Sequence, residues 1–185
     1  MSKLELHSIS DIDDLAWPED IEDLHLHSPA VAFFTDFLRV KPMIVEANVS
    51  AANTQLMMRK AHVRLKFVVD SHQRLLGVVN SDDLSDEKIV QRVSEGFKRE
   101  DLLVSEFMTP KKSLSALTYS DVARATITDV IATLKDNGER HCLVLDEDAH
   151  KIRGIFSASD ISRKLHLPID IHQKSSFYSI FLAVS

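Results

Sequence analysis

A hairpin that runs directly into a helix occurs twice in this chain, and this duplication constrains the fold more than any other feature. In the second copy, the apolar run 142–145 leads through a charged turn to an apolar run that opens with Gly154. In the first copy, the run 67–69 leads in the same way to Gly77, and the two glycines lie 77 residues apart. Two apolar runs around a polar turn predict a β-hairpin. Its repetition predicts two copies of one structural unit.

The second strand of each hairpin is followed at once by a helix-start pattern. Ser157 lies where the N-cap belongs and Asp160 follows three residues later, which predicts a capping box. Asn80 and Asp83 hold the same two positions in the first copy. Asn80 is therefore predicted to open a helix that is closed by Gly96.

These strand-to-helix segments resemble the signature of the CBS (cystathionine-β-synthase) domain: Gly, two apolar residues, Thr or Ser, two variable residues, Asp and an aliphatic residue. The second copy matches it in full over residues 154–161, whereas the first, residues 77–84, has Asn80 at the hydroxyl position. The resemblance covers residues 29–167. It implies an α/β (α+β) fold, in which two tandem β-α-β-β-α CBS repeats pack as a pseudo-twofold Bateman module.

The chain is accordingly divided into four parts, which are an acidic N-terminal arm (1–28), CBS repeat 1 (29–97), CBS repeat 2 (98–167) and a C-terminal tail with a short helix (168–185). The arm is expected to be mostly irregular, against the alternative that its few apolar residues dock sparsely on the repeats. It holds eight acids against Lys3, a charge of −7, so the rest of the chain carries +1.

Capping patterns place further helices. The Ser-Pro pair at 28–29 predicts a helix whose phenylalanines share one face. Thr126 and Asp129 form a capping box for a helix of repeat 2, and extra residues around 121–124 precede it. The apolar spacing over 177–184 predicts a closing helix whose apolar face covers its own module or a partner subunit.

Composition excludes several classes of protein. The near-neutral part beyond the arm has no basic stripe for nucleic acid. No apolar run is long enough to cross a bilayer, and the N-terminus lacks the apolar core of a signal peptide, so we expect no membrane contact and a cytoplasmic location. The single cysteine, Cys142, suits a reducing compartment and is predicted to be a core residue rather than a nucleophile.

The resemblance also implies a ligand site in each repeat. In the family the hydroxyl contacts phosphate or a neighbouring polar group, and the Asp accepts hydrogen bonds from a ribose diol. The alternative is that the same pairs only cap helices, with no ligand. The candidate ligand-binding residues, including one from the segment that leads into repeat 2, are Ser157, Asp160, Gly154, Arg140, Arg163, Thr109, Asn80 and Asp83.

Charge favours the second of these half-sites. The first contains four carboxylates over residues 82–87, which repel a phosphate. In the second, Asp160 is followed by Arg163 and Lys164, and Arg140 precedes the hairpin. Cations near a helix N-terminus favour an anion. The alternative for Arg163 and Lys164 is a solvated helix end.

The sequence contains no constellation of nucleophile, base and orienting residue, so we expect no enzyme, no metal site and no required cofactor. We expect a stand-alone regulatory protein that binds an adenosyl ligand (AMP, ADP, ATP or S-adenosylmethionine) and signals through an unidentified protein target or self-association. Its alternative is a ligand-free interaction scaffold with a degenerate site. A homodimer is expected because the apolar stripes at 33–37 and 177–181 offer spare surface.

Overall fold

The computed structural model describes residues 24–137, 140–167 and 176–184. Most of the acidic arm, residues 1–23, therefore lies outside the described residues. In this part of the chain, the elements in chain order up to residue 97 are β1 (Thr35–Asp36), β2 (Ile44–Glu46), α1 (Ala51–Lys60), β3 (Leu65–Val69), β4 (Leu75–Asn80) and α2 (Asp86–Ser94). The remaining elements are β5 (Thr109–Pro110), β6 (Ala116–Thr118), α3 (Tyr119–Val122), α4 (Ile127–Leu134), β7 (His141–Asp146), β8 (Lys151–Ser157), α5 (Ala158–Lys164) and α6 (Phe177–Val184).

The predicted order of strand, helix, strand, strand and helix is confirmed in both repeats. The sheet of repeat 1 has the strand order β2-β3-β4-β5, and the sheet of repeat 2 has the order β1-β8-β7-β6. In each sheet one pair is parallel, β2 with β3 and β6 with β7, and the hairpin pairs are antiparallel. The extra residues before α4 form the short helix α3.

The short strand that leads into each repeat joins the sheet of the other repeat. Thr35 of β1 pairs opposite Ile155 of β8, and Thr109 of β5 pairs opposite Val78 of β4. Each sheet is therefore completed by a strand from outside its own repeat.

This crossing explains the glycine of the repeated signature. A Cβ atom on Gly77 would lie 2.3 Å from the carbonyl oxygen of Thr109, and one on Gly154 would lie 2.3 Å from that of Thr35. No side chain fits at such a distance from a backbone oxygen. The glycines are thus required by the approach of the crossing strands.

The helix predicted from Ser28 is wrong. Only Ala30–Ala32 form a 3₁₀ turn before β1 begins. The Ala30 N–H donates to the carbonyl oxygen of Ala125 at 2.9 Å, so the segment bonds to repeat 2 instead of continuing its own helix. Residues 24–28 lie along the same repeat, since Thr128 Oγ1 donates to the carbonyl oxygen of Leu26 at 2.6 Å.

The helix predicted to open at Asn80 is also wrong at its start. Asn80 ends β4, and α2 begins only at Asp86, after Ser85 as N-cap accepts a hydrogen bond from the Lys88 N–H. In repeat 2 the capping box of Thr126 and Asp129 forms as predicted and opens α4.

The apolar stripes do not supply the spare surface expected for self-association. Phe33 and Phe34 are buried beneath repeat 2, together with Phe177 and Ile180 of α6. The closing helix α6 is confirmed, and it covers its own module. Cys142 is 5% exposed and belongs to the same core, as predicted. None of the helices in the described part of the chain is long and apolar enough to span a membrane.

Candidate functional site

A cleft of about 330 Å³ opens where the two sheets meet. Apolar side chains of both hairpins pack between the sheets beside it. Residues of both repeats and of the connection between them line the cleft, and the polar and aliphatic ones that matter below are Leu65, Asn80, Thr109, Ser113, Ser115, His141 and Ile155. Its volume lies at the small end of the range for small-molecule sites.

Asn80 brings an unsatisfied acceptor to the cleft. Its side-chain oxygen Oδ1 is buried and has no hydrogen-bond partner among the described residues. The Asn80 N–H donates to Asp83 Oδ2 at 2.9 Å, and Asp83 Oδ1 binds Lys88 Nζ at 3.0 Å. A buried oxygen without a donor is costly, so this wall is suited to a ligand that carries an N–H or O–H group.

His141, at the start of β7, places an uncharged imidazole ring on the side of the cleft that repeat 2 forms. Burial lowers its pKa to about 4, and the positive charges of Arg140 and Arg64 act in the same direction, whereas the Asp160 carboxylate opposes them. At neutral pH the imidazole is therefore uncharged, with one nitrogen that donates and one that accepts a hydrogen bond.

Three hydroxyl groups complete the polar part of the wall. Thr109 lies on the crossing strand β5, and Ser113 and Ser115 follow it at and after a 3₁₀ turn. Each hydroxyl can donate and accept. The cleft thus combines neutral hydrogen-bonding groups with aliphatic walls and has no charged side chain among its lining residues.

The predicted capping box at the start of α5 is wrong. Ser157 occupies the N-cap position, but its hydroxyl makes no capping hydrogen bond and lies 2.9 Å from Ser159 Oγ. Asp160 pairs with Arg163 on the next turn instead. Ser157 pairs opposite His141 in the β7–β8 ladder, so it lies beside the cleft without lining it.

The arginines that favoured the second half-site are already paired with carboxylates. Arg140 Nη1 binds Asp82 Oδ2 across the two repeats, and Arg163 binds Asp160. Conversely, three of the four acids that argued against the first half-site are also paired: Asp82 with Arg140, Asp83 with Lys88, and Asp86 with Arg59 and Arg99. The number of charges in each half-site therefore does not favour the second half-site over the first.

The structure brings only part of the predicted site together. Asn80 and Thr109 line the cleft, Asp83 holds the backbone of Asn80, and Arg140 is next to His141 in the chain. Gly154 is packed beneath Thr35. With Ser157, five predicted residues thus lie at or next to the cleft, and Gly154, Asp160 and Arg163 lie elsewhere on β8 and α5.

Sequence reasoning missed His141 and the two serines. His141 lies opposite Ser157 in the hairpin, and this position next to a signature residue is the signal that could have found it. Ser113 and Ser115 lie in the connection between repeats, where no period marks which residues face a cleft.

The sequence matches the family model of the CBS domain over residues 35–89 and 104–167, well over half of the chain. The chain belongs to the CBS domain family. As two such domains occur in tandem, the molecule is a CBS pair, and its cleft lies between the two domains.

Solved structures of low sequence identity share this fold. A conserved protein from Pyrococcus horikoshii is 20% identical, with 80% of this chain and 98% of that chain covered and a TM-score of 0.57. CBSX2, an Arabidopsis thaliana CBS-pair protein solved in complex with AMP, is 21% identical, with 74% and 94% covered and a TM-score of 0.53. A conserved CBS domain protein from Thermoplasma acidophilum is 18% identical, with 82% and 76% covered and a TM-score of 0.52. No curated protein matches the chain.

Proposed function

We propose that this CBS pair is a cytoplasmic regulatory module that binds an adenosyl ligand in the cleft at Asn80. The observation that carries the proposal is the buried, unpartnered Oδ1 atom of Asn80 in the cleft wall. The occurrence of AMP in the CBSX2 complex supports an adenine compound as the ligand class. AMP, ADP, ATP and S-adenosylmethionine all carry that group.

The lining residues suit the two halves of a nucleoside. Leu65 and Ile155 offer aliphatic side chains that can pack against the flat face of a base. The exocyclic amino group of adenine can donate a hydrogen bond to Asn80 Oδ1. The hydroxyl of Thr109 and the neutral imidazole of His141 can share hydrogen bonds with ribose hydroxyls. No step in this arrangement is catalytic, and it needs no cofactor.

Arg140 gives the proposal a route to regulation. Its guanidinium binds Asp82, and so joins the start of β7 in repeat 2 to the turn after β4 in repeat 1. A phosphate near His141 would compete with Asp82 for this guanidinium, because a guanidinium also binds phosphate in a bidentate manner. Ligand charge would then change a contact between repeats, and the change would reach a protein target or a second subunit.

The test is titration calorimetry of the full chain with AMP, ADP, ATP and S-adenosylmethionine. Replacement of Asn80 by Leu removes the acceptor at similar volume, and we expect binding about tenfold weaker, since one buried hydrogen bond is worth roughly 1–2 kcal/mol. Asp160→Asn is the matched control in repeat 2, and its affinity should change less than twofold. Unfolding without ligand is measured for both variants, so that a loss of stability is not read as a loss of binding.

A different pattern points to a different site or function. Weaker binding only in Asp160→Asn would move the ligand to the second half-site. If the unmodified chain binds none of the four compounds, the proposal fails. The alternative of a ligand-free interaction scaffold would then hold, as the Asn at the hydroxyl position favours.

A further inference from the structure

A second concave surface lies on repeat 1. This α1 groove has a volume of about 560 Å³ and is formed by the C-terminal half of α1, the loop that leads into β3, and the start of α2. Its polar lining includes Gln55, Arg59, His62, Arg64, Ser85 and Asp86. No residue lines both the groove and the cleft of the proposed function, although the two adjoin at residues 64–65 and 80–81.

The equivalent place in repeat 2 is covered by α6. Since Ser50 and Thr126 precede α1 and α4 in the same way, the groove residues Gln55, Met58 and Arg59 correspond to Ile131, Leu134 and Lys135. There α6 packs on α4, on the 3₁₀ turn that follows it and on α5. Lys135 Nζ lies 4.2 Å from the centre of the Phe181 ring. The fold therefore accepts a covering segment at this position of a repeat.

The chemistry of the α1 groove is suited to a charged segment, unlike the surface that the apolar α6 covers in repeat 2. Gln55 stands where repeat 2 has Ile131, and two arginines and a histidine line the groove against the single carboxylate of Asp86. That carboxylate is already shared by Arg59 at 3.7 Å and Arg99 at 3.6 Å. A covering segment should thus carry several acids.

One apolar contact is available next to these charges. Val63 lines the groove and is half-buried, whereas the exposed Leu56 and Met57 of α1 lie on other faces of the helix and do not line it. A suitable occupant therefore needs a few apolar side chains among its acids, so that it can cover this surface.

Residues 1–23 of the same chain have this chemistry. They carry eight acids against Lys3, and Ile9, Ile12 and Leu15 recur every third residue among them. They precede Leu24, which packs on repeat 2. A chain of this length spans at most about 75 Å when extended, more than the width of a domain of this size.

We propose that the α1 groove binds residues 1–23 of its own chain, with their carboxylates on Arg59 and Arg64 and their apolar side chains on Val63. The charge of +1 beyond the arm hides this local excess of cations. The sequence alone could not reveal it, because the groove is assembled from α1, the loop that leads into β3, and the start of α2.

Trp17 is the single tryptophan of the chain and reports on the arm directly. We expect its fluorescence in the full chain to be protected from acrylamide at low salt. In Arg59→Gln/Arg64→Gln the quenching constant should rise about twofold, as it should for the unmodified chain in 1 M salt, where charges are strongly screened. The control Lys112→Gln/Lys151→Gln removes two exposed cations elsewhere and should leave quenching unchanged.

Asp13→Asn/Asp14→Asn leaves the groove intact and should raise the quenching constant as the arginine variant does. This second variant keeps the test valid if the arginine variant does not fold. Equal quenching in all variants and at both salt concentrations overturns the proposal, and so does an equal rise in the lysine control. Protection of Trp17 that grows with protein concentration, together with a doubled mass by light scattering, would assign the groove to a second copy and would also overturn it.

Discussion

The two repeats share one backbone plan but differ in what covers their helices. In repeat 2, α6 lies over α4 and α5 and buries Phe177 and Ile180. In repeat 1, α1 and α2 leave Leu56, Val90 and Val93 exposed by 48%, 56% and 39%. Duplication thus determines the sheets, whereas the segment that follows a repeat determines whether its outer face is available to another molecule.

The strand ends differ as well. Asn80 ends β4, lines the cleft and has a buried oxygen with no partner among the described residues, whereas Ser157 ends β8 in contact with Ser159. Repeat 2 matches the family signature better than repeat 1, yet its signature residue Ser157 does not line the cleft. Agreement with the family signature identifies the fold. Which repeat offers a polar side chain to a ligand in the cleft depends on the local pairing of side chains.

The largest effect is expected from removing the anchor of α6. Phe177 is fully buried, so Phe177→Ala should lower the free energy of unfolding by about 3–5 kcal/mol. Urea denaturation followed by circular dichroism measures it. Tyr178→Ala is the control on the same helix, since Tyr178 is 52% exposed, and it should cost under about 1 kcal/mol. Similar losses in both variants would show that α6 does not cover repeat 2 in the way described, and would remove the contrast between the repeats.

The second-largest effect on stability is expected at a feature that the two repeats share, the glycine that lies against a crossing strand. Gly77→Ala and Gly154→Ala each place a Cβ atom 2.3 Å from a backbone oxygen of the crossing strand. Both should lower the free energy of unfolding by about 2–3 kcal/mol, because a packed backbone must shift.

Gly96→Ala is the control for the glycine variants. No atom lies within 4 Å of the added Cβ, but φ is +100°, so only backbone strain of about 1 kcal/mol is expected. The same denaturation experiment measures all three variants. A clear loss in only one of Gly77→Ala and Gly154→Ala would mean that the two strand crossings are not equivalent.

The smallest effect concerns pH and is specific to repeat 2, because the position of His141 is held by Leu65 in repeat 1. Burial lowers the folded-state pKa of His141 from 6.5 to about 4, with Arg140, Arg64 and Asp160 as the charged neighbours. The unfolded chain therefore takes up the proton first. The contribution of the neutral ring is fully present above pH 6.5 and is lost as the pH falls towards 4.

We expect His141→Gln to remove about 1–2 kcal/mol of the pH dependence of stability between pH 6.5 and 4, a value reduced from the full shift because part of the ring faces the cleft. Denaturant midpoints across that range measure it. His72→Gln, at an exposed turn, is the control for the substitution itself. An unaltered profile in His141→Gln would contradict the burial argument.

The sequence was sufficient for the fold because the features that determine it are local and repeated. Both hairpins, the capping box at Thr126 and the helix over 177–184 follow from spacing within about ten residues. The capping signals at Asn80 and Ser157 failed for local reasons, since Asn80 stays in β4 and the Ser157 hydroxyl contacts Ser159. The signal at Ser28 lost to tertiary hydrogen bonds. Such bonds join residues that are distant in sequence, for instance Ala30 and Ala125, and no local pattern records them.

The candidate site was predictable only in part. Asn80 and Thr109 were found because the repeated signature and the lead-in segment mark them. The preference for the second half-site was an argument from counted charges, and counts do not show that Arg140 reaches across to Asp82. Which of several charges remain free for a ligand depends on pairs formed between repeats.

The exchange of β1 and β5 between the sheets has a consequence for folding. Neither half of the chain can complete its sheet alone, because the last strand of each sheet is delivered by the segment that precedes the other half. Closing the sheet of repeat 2 therefore requires Thr35 to reach Ile155, more than 100 positions away, and closing that of repeat 1 requires Val78 to reach Thr109 beyond α2. Contacts between residues distant in sequence form slowly. The two repeats, although copies in sequence, should unfold in a single cooperative transition and behave as one thermodynamic unit.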